Sequence, residues 1–113
     1  MTTGPISFDW GQIHWLANAE IGNSAELSVA RMVMKGGKTS DLHHHPNCEE
    51  AVYLVRGKLE HRIGNETFLQ EPGSTVTVPR NTAHSASNIG SEEAEIIASY
   101  STAARDFQPG RPD

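Results

Sequence analysis

GKTSDLHHHPNCEEAVYLVRG, residues 37–57, holds three adjacent histidines, His43, His44 and His45, and two acids, Glu49 and Glu50, directly ahead of the run Ala51 to Val55. The β-branched and aromatic residues of that run favour an extended chain. In an extended chain residues i and i+2 project to one side. Glu50 therefore shares a face with the apolar Val52 and Leu54, and if they face a core its carboxylate does too. An unpaired carboxylate in such a place is expensive, whereas one bound to a metal ion is not. By the same alternation His43 and His45 point to one side and His44 to the other. Pro46 and Asn47 form a turn that folds the chain back between the histidines and Glu50. His84, preceded by a loop containing Pro79 and followed by a strand-like run, is the natural fourth ligand. The competing reading is a hydrated loop of histidines and acids that holds no ion.

Outward from this stretch the chain reads as short strands separated by turns. Glu26 to Met34 is the first confident strand, after a possible one at Ile13 to Leu16 and a loosely held start at Met1 to Gly11. Its odd phase carries Leu27, Val29, Arg31 and Val33, and its even phase Ser28, Ala30, Met32 and Met34. Arg31 thus sits in the more apolar phase, and two orientations are open to it. It reaches out to the rim, or it turns inward and binds an anionic group of a substrate. Past Gly57 the residues Leu59, His61 and Ile63 alternate with Lys58, Glu60 and Arg62. Gly64-Asn65 and Pro72-Gly73 are turn signals on either side of a strand at Glu66 to Gln70. Thr75 to Val78, His84 to Asn88 and Glu95 to Tyr100 complete the set. No segment shows a convincing helical period, so the pattern points to an all-β sandwich or barrel.

The chain has 113 residues and a formal net charge of −5. That length fits one domain. Its expected layout is an N-terminal strand region at 6–24, a core over about 25–101 and a flexible C-terminal tail at 103–113. The negative balance argues against a nucleic-acid partner. No run is long enough to span a bilayer, and residues 1–5 lack the character of a signal peptide. The single cysteine, Cys48, excludes an internal disulfide framework, so a cytoplasmic address is expected.

Two spaced motifs sharpen the histidine reading. Gly37, His43, His45, Glu50 and Gly57 form one, and Gly73, Pro79, His84 and Asn88 the other. In these residues the sequence resembles the cupin superfamily, small jelly-roll β-barrels of the double-stranded β-helix type. The first motif fits at every interval, which selects Glu50 over Glu49. In the second, Asn81 stands where the family has a glycine, and Asn tolerates positive φ better than other non-glycine residues.

The resemblance implies one divalent transition metal held by His43, His45, Glu50 and His84. With no thiolate among the ligands, Fe(II), Mn(II), Ni(II), Co(II), Cu(II) and Zn(II) all suit the set. Cys48 is expected to be an ordinary loop thiol. It also implies an enzyme acting on a small organic molecule, with an Fe(II)-type dioxygenase or other oxidoreductase as the first reading. A Lewis-acid lyase, isomerase or cyclase acting on a carbonyl or sugar-derived substrate is the second, and a non-catalytic ligand-binding or sensor protein the third. His61, in phase with Leu59 and Ile63, is the candidate catalytic acid or base, weighed against a buried structural imidazole. Tyr53 is expected outside or at a subunit interface, His14 is expected to be structural, and a homodimer is the expected assembly.

Overall fold

Side-chain alternation decides which face of each strand turns inward, and every long strand obeys it. The computed structural model describes residues 4–112, so residues 1–3 of the expected loose start and Asp113 of the expected tail lie outside it. Strand β5 (Glu50–Arg56) buries Glu50, Val52 and Leu54 and exposes Tyr53 and Val55. Strand β6 (Leu59–Ile63) buries Leu59 and His61 and exposes Glu60 and Arg62. Strand β10 (Ala94–Tyr100) buries Ala94, Ile96, Ala98 and Tyr100. The remaining strands are β1 (Ile6–Phe8), β2 (Gly11–Ala17), β3 (Ser28–Met34), β4 (His43–His44), β7 (Glu66–Gln70), β8 (Thr75–Val78), β9 (His84–Asn88) and β11 (Gln108–Pro109). No helix occurs among the described residues.

The strands form two antiparallel sheets, one ordered β1-β2-β3-β10-β5-β8 and the other β11-β4-β9-β6-β7. Because β5, β6 and β10 alternate, each sheet has one apolar face, and the two faces close on a shared interior. One buried cluster is Met34, Val52, Leu54, Leu59, Ala94 and Ile96; a second, smaller one is Cys48, Ala98 and Tyr100. Gly57, between β5 and β6, has φ 101°. A Cβ there would lie 2.6 Å from the Cβ of Ala94, so the turn demands glycine twice, once for its backbone and once for space. This is the all-β jelly-roll architecture expected from the sequence.

Three expectations need correction. In β3 the even phase, Ser28, Ala30 and Met34, is the buried one. Arg31 therefore lies on the outer face, where its Nε donates to Glu95 at 2.7 Å. The inward, substrate-binding Arg31 does not occur, because the small and flexible residues of the even phase fill the interior and the outer strand neighbour offers a carboxylate. At the start of the chain, Ile6–Phe8 is not loose but pairs with β2 as an edge strand. The tail is likewise packed: Ala103 is buried, and Gln108–Pro109 pairs with His43–His44. Backbone pairing and side-chain docking at 103–110 outweigh the Pro- and Gly-rich composition that suggested fraying.

Candidate metal centre

Four strands and two loops converge on one end of the interior. Strands β4 and β9 pair with His43 opposite His84, which brings their rings to 4.2 Å between centroids. Strands β5 and β10 pair with Glu50 opposite Tyr100. His45 follows β4 and is held by the loop before β9, where the Asn81 amide donates to the His45 carbonyl at 2.9 Å. Asn81 makes that contact with φ 61°, and it is the one non-glycine residue with positive φ among the described residues. The departure from glycine at this position thus keeps the backbone shape that glycine would give. One donor atom from each of His43, His45, Glu50 and His84 lies within 4.8 Å of the others.

Hydrogen bonds at the far side of each ring fix the tautomers. Nδ1 of His43 faces the Asp41 carbonyl at 2.6 Å, that of His45 the Asp106 carbonyl at 2.9 Å, and that of His84 the Thr82 carbonyl at 2.8 Å. A carbonyl only accepts, so each Nδ1 carries a proton and Nε2 is the atom turned toward the shared centre, where in the neutral tautomer it presents a lone pair. There His84 Nε2 lies 3.0 Å and His45 Nε2 3.5 Å from Glu50 Oε1. Lone pair facing lone pair at such distances is repulsive unless a cation, a proton or a metal ion, sits between them. His45 Nε2 is buried with no hydrogen-bond partner among the described residues. Burial, reinforced by the neighbouring His84, pulls the His43 pKa down to about 4, so the cluster resists filling itself with protons. Burial alone would push Glu50 up, but hydrogen bonds and positive charge from His45 and His84, when their Nε2 atoms carry a proton, outweigh that and hold its carboxyl below the usual carboxylate range, and a metal ion between them would supply the same charge. Tyr100 completes the carboxylate by donating its hydroxyl to Oε2 at 2.9 Å. An orphaned inward nitrogen, neutral imidazoles oriented by carbonyls and an ionised carboxylate are the donor set a first-row divalent ion takes.

The cluster opens into a cavity of about 350 Å³. Its walls are mostly apolar, with Phe8, Trp10, Met32, Met34, Ile96 and Phe107 among them, and its polar groups gather around the histidines and at His61 and Arg105. That combination, apolar walls with few convergent polar groups, is the form of a small-molecule site. His61 is buried and faces this cavity, as its phase predicts. Its Nε2 meets Gln70 Oε1 at 2.6 Å, while Gln70 Nε2 donates to the carbonyls of Val52 and Ser74. The two carbonyls identify the amide nitrogen, so His61 Nε2 is the donor and Nδ1 is left with the basic lone pair. Burial lowers the His61 pKa.

The remaining sequence candidates lie elsewhere. His44 turns away from the cluster, as alternation predicts, and its Nδ1 donates to the Gly110 carbonyl at 2.8 Å. Glu49 is exposed, Tyr53 is exposed on the outer face, and His14 lies opposite Arg31 in the β2–β3 register. Cys48 is buried outside the metal group, and burial raises its thiol pKa, which suppresses thiolate chemistry. Sequence reasoning missed three residues of the site. Tyr100 had a signal, since it ends the buried phase Ala94, Ile96 and Ala98. Arg105 and Phe107 had none, because they lie in irregular chain, and Phe107 reaches the site by stacking on His43 at 4.7 Å.

Comparison with known proteins gives matches in both sequence and structure. A family model described as "Cupin domain" matches residues 30–100. A polyketide synthase, CurC, of Streptomyces cyaneus is 35% identical over 65 residues, which cover 58% of this chain and 42% of that one. An uncharacterized protein of Methanocaldococcus jannaschii is 29% identical over 92 residues, 81% of this chain and 74% of that one. Among solved structures, a Bacillus subtilis oxalate decarboxylase studied for its Mn(II) centers superposes with a TM-score of 0.87. It is 22% identical, and the superposition covers 95% of this chain and 30% of that one. The chain thus spans less than half of the polyketide synthase and about a third of the decarboxylase, and at that identity the second likeness speaks for fold alone.

Proposed function

The chain belongs to the cupin family, and from that premise we propose a metal-dependent enzyme that acts on a small, largely apolar organic molecule. The observation that carries the proposal is the inward cluster: three imidazoles with their protons committed to backbone carbonyls, one of them orphaned at His45 Nε2, around an ionised Glu50. His43, His45, Glu50 and His84 would hold one divalent ion, which supplies Lewis acidity and, if it is iron, redox chemistry with dioxygen. Around it, Tyr100 keeps Glu50 ionised and oriented, and the apolar walls exclude water from a molecule bound beside the cluster. His61 is the acid or base of the proposal: neutral by burial, fixed by Gln70, with Nδ1 free to take a proton from the substrate.

Oxidation by an Fe(II)-type dioxygenase is the first reading of the chemistry, because His43, His45, Glu50 and His84 would hold a redox-active ion beside a hydrophobic cavity whose walls would keep water from a bound substrate. A Lewis-acid cyclase or lyase is the second, favoured by the likeness to a polyketide synthase, whose name implies carbonyl-rich carbon chains. The protein purified after expression without added metal is expected to hold near one divalent ion per chain. Oxygen uptake with a panel of diketones, catechols and flavonols is expected under the first reading. Turnover of a carbonyl substrate under nitrogen, without uptake in air, would replace it with the second. A chain that takes up no metal at all would sink both. A homodimer in the cytoplasm belongs to the same proposal, with the outer face bearing Leu27, Tyr53 and Val55 as the surface a second copy would cover. No helix of the described residues is long and apolar enough to cross a membrane.

A further inference from the structure

We infer that the cavity takes an anionic molecule and that Arg105 seats its carboxylate or enolate, an inference that rests on the small-molecule reading above and adds the substrate's charge. Arg105 lines the cavity, and its guanidinium carbon lies 4.8 Å from the ring centroid of Trp15, 5.1 Å from Tyr100 and 5.4 Å from Phe107. Three aromatic faces hold the guanidinium in place, so little side-chain freedom is left to lose when it binds a partner. Among the described residues its donors nevertheless have no hydrogen-bond partner. Among the described residues it makes no ion pair, whereas Arg31 and Arg56 are both paired with carboxylates at the outer surface. A guanidinium offers five N–H groups in a fork that matches a carboxylate. One that is half-buried against aromatic rings at the wall of an apolar cavity, with its fork unused, is a receptor for an anion.

Its position says which anion. Tyr100, under Arg105, is the residue whose hydroxyl holds Glu50, so the guanidinium and the histidine cluster share one wall. A molecule with an oxygen donor near the cluster and a negative group a few ångströms away meets both. The other acids of the lining are Glu50, committed to the cluster, and Asp41, whose side chain is exposed. Neither ion-pairs with Arg105. Arg105 is thus a specificity-determining residue, supplied by the C-terminal segment rather than by the barrel strands.

The test uses phenylacetate and 2-phenylethanol, which share a ring and differ in charge, and follows binding by Trp fluorescence and calorimetry on Zn(II)-loaded protein. Wild type is expected to prefer phenylacetate by about tenfold or more, the scale of one charge-assisted contact. Arg105→Gln is expected to erase the preference by weakening phenylacetate binding about tenfold more than 2-phenylethanol binding. Arg105→Lys, which keeps the charge and loses the fork, is expected to retain part of it, and serves alone if the Gln variant fails to melt cooperatively. No preference in wild type, an undiminished one in Arg105→Gln, or one in Arg105→Lys equal to wild type overturns the assignment. The same titration on metal-stripped wild type separates the two proposals. A preference lost with the metal puts the carboxylate on the ion and removes Arg105's role but not the metal site. A preference that depends on Arg105 in a chain that never binds metal keeps this inference and sinks the metal enzyme.

Discussion

Replacing Tyr100 by Phe removes one oxygen and tests whether the carboxylate really belongs to a metal centre. The ring keeps its contacts with Trp15 at 5.8 Å and with His45 at 5.4 Å, so packing is conserved. What is lost is the 2.9 Å hydrogen bond to Glu50 Oε2. A hydrogen bond to a charged group contributes about 2 kcal/mol. Converted to affinity, about 2 kcal/mol is roughly 30-fold, and removal of an outer partner of a metal ligand typically weakens binding by about 10–100-fold. The two routes agree, so Tyr100→Phe is expected to bind Zn(II) or Mn(II) about 30-fold more weakly than wild type. A competition titration against a chromogenic chelator at pH 7.5 reads this directly, with circular dichroism confirming the fold. The metal-free variant should also be less stable by about 1–3 kcal/mol, because a buried carboxylate oxygen loses its only donor. Affinity within threefold of wild type would refute the idea that Tyr100 tunes Glu50 for a metal, and would reduce it to a core residue.

Three further outcomes follow from the same geometry. His84→Ala should lower metal affinity by at least roughly 100-fold, more than loss of an outer partner does, while Arg31→Gln should leave affinity unchanged and shift stability by under about 1 kcal/mol; full metal occupancy in His84→Ala would remove it from the ligand set. Gly57→Ala should destabilise by about 3 kcal/mol, since the new Cβ meets Ala94 and the positive φ is strained, and a melting temperature within a degree or two of wild type would contradict that packing. In metal-free protein, the unfolded chain takes up a proton at His43 near pH 6.5, but the folded chain does so only near 4. Between those values the unfolded state binds more protons, so stability present at neutral pH should fall as pH drops from 6.5 toward 4, by up to about 3 kcal/mol. Urea midpoints flat across that window would show that His43 is not held neutral by burial.

The local code was legible because strands write themselves with a period of two. Glu50 in phase with Val52 and Leu54, His61 in phase with Leu59, and His43 and His45 on one side of His44 all follow from alternation alone. The turn at Asn81 follows from backbone sterics. Those facts, with the two motif spacings, determined the barrel and the four candidate ligands. Alternation does not say which of two partly apolar phases faces in. For β3 the answer came from its neighbours: Glu95 across the sheet drew Arg31 outward and left the even phase to the interior. Nor does it act where there is no strand to count along. Residues 103–110 read as a tail because Pro109 and Gly110 advertise irregular chain. Tertiary contact alone made that segment part of the site, with the Asp106 carbonyl on His45, Phe107 on His43, the Gly110 carbonyl on His44, and Arg105 over Tyr100. The set of candidate ligands was thus a property of local pattern. The second layer that orients those side chains, and the cation that would choose a substrate, depended on which distant residues the fold packs around them.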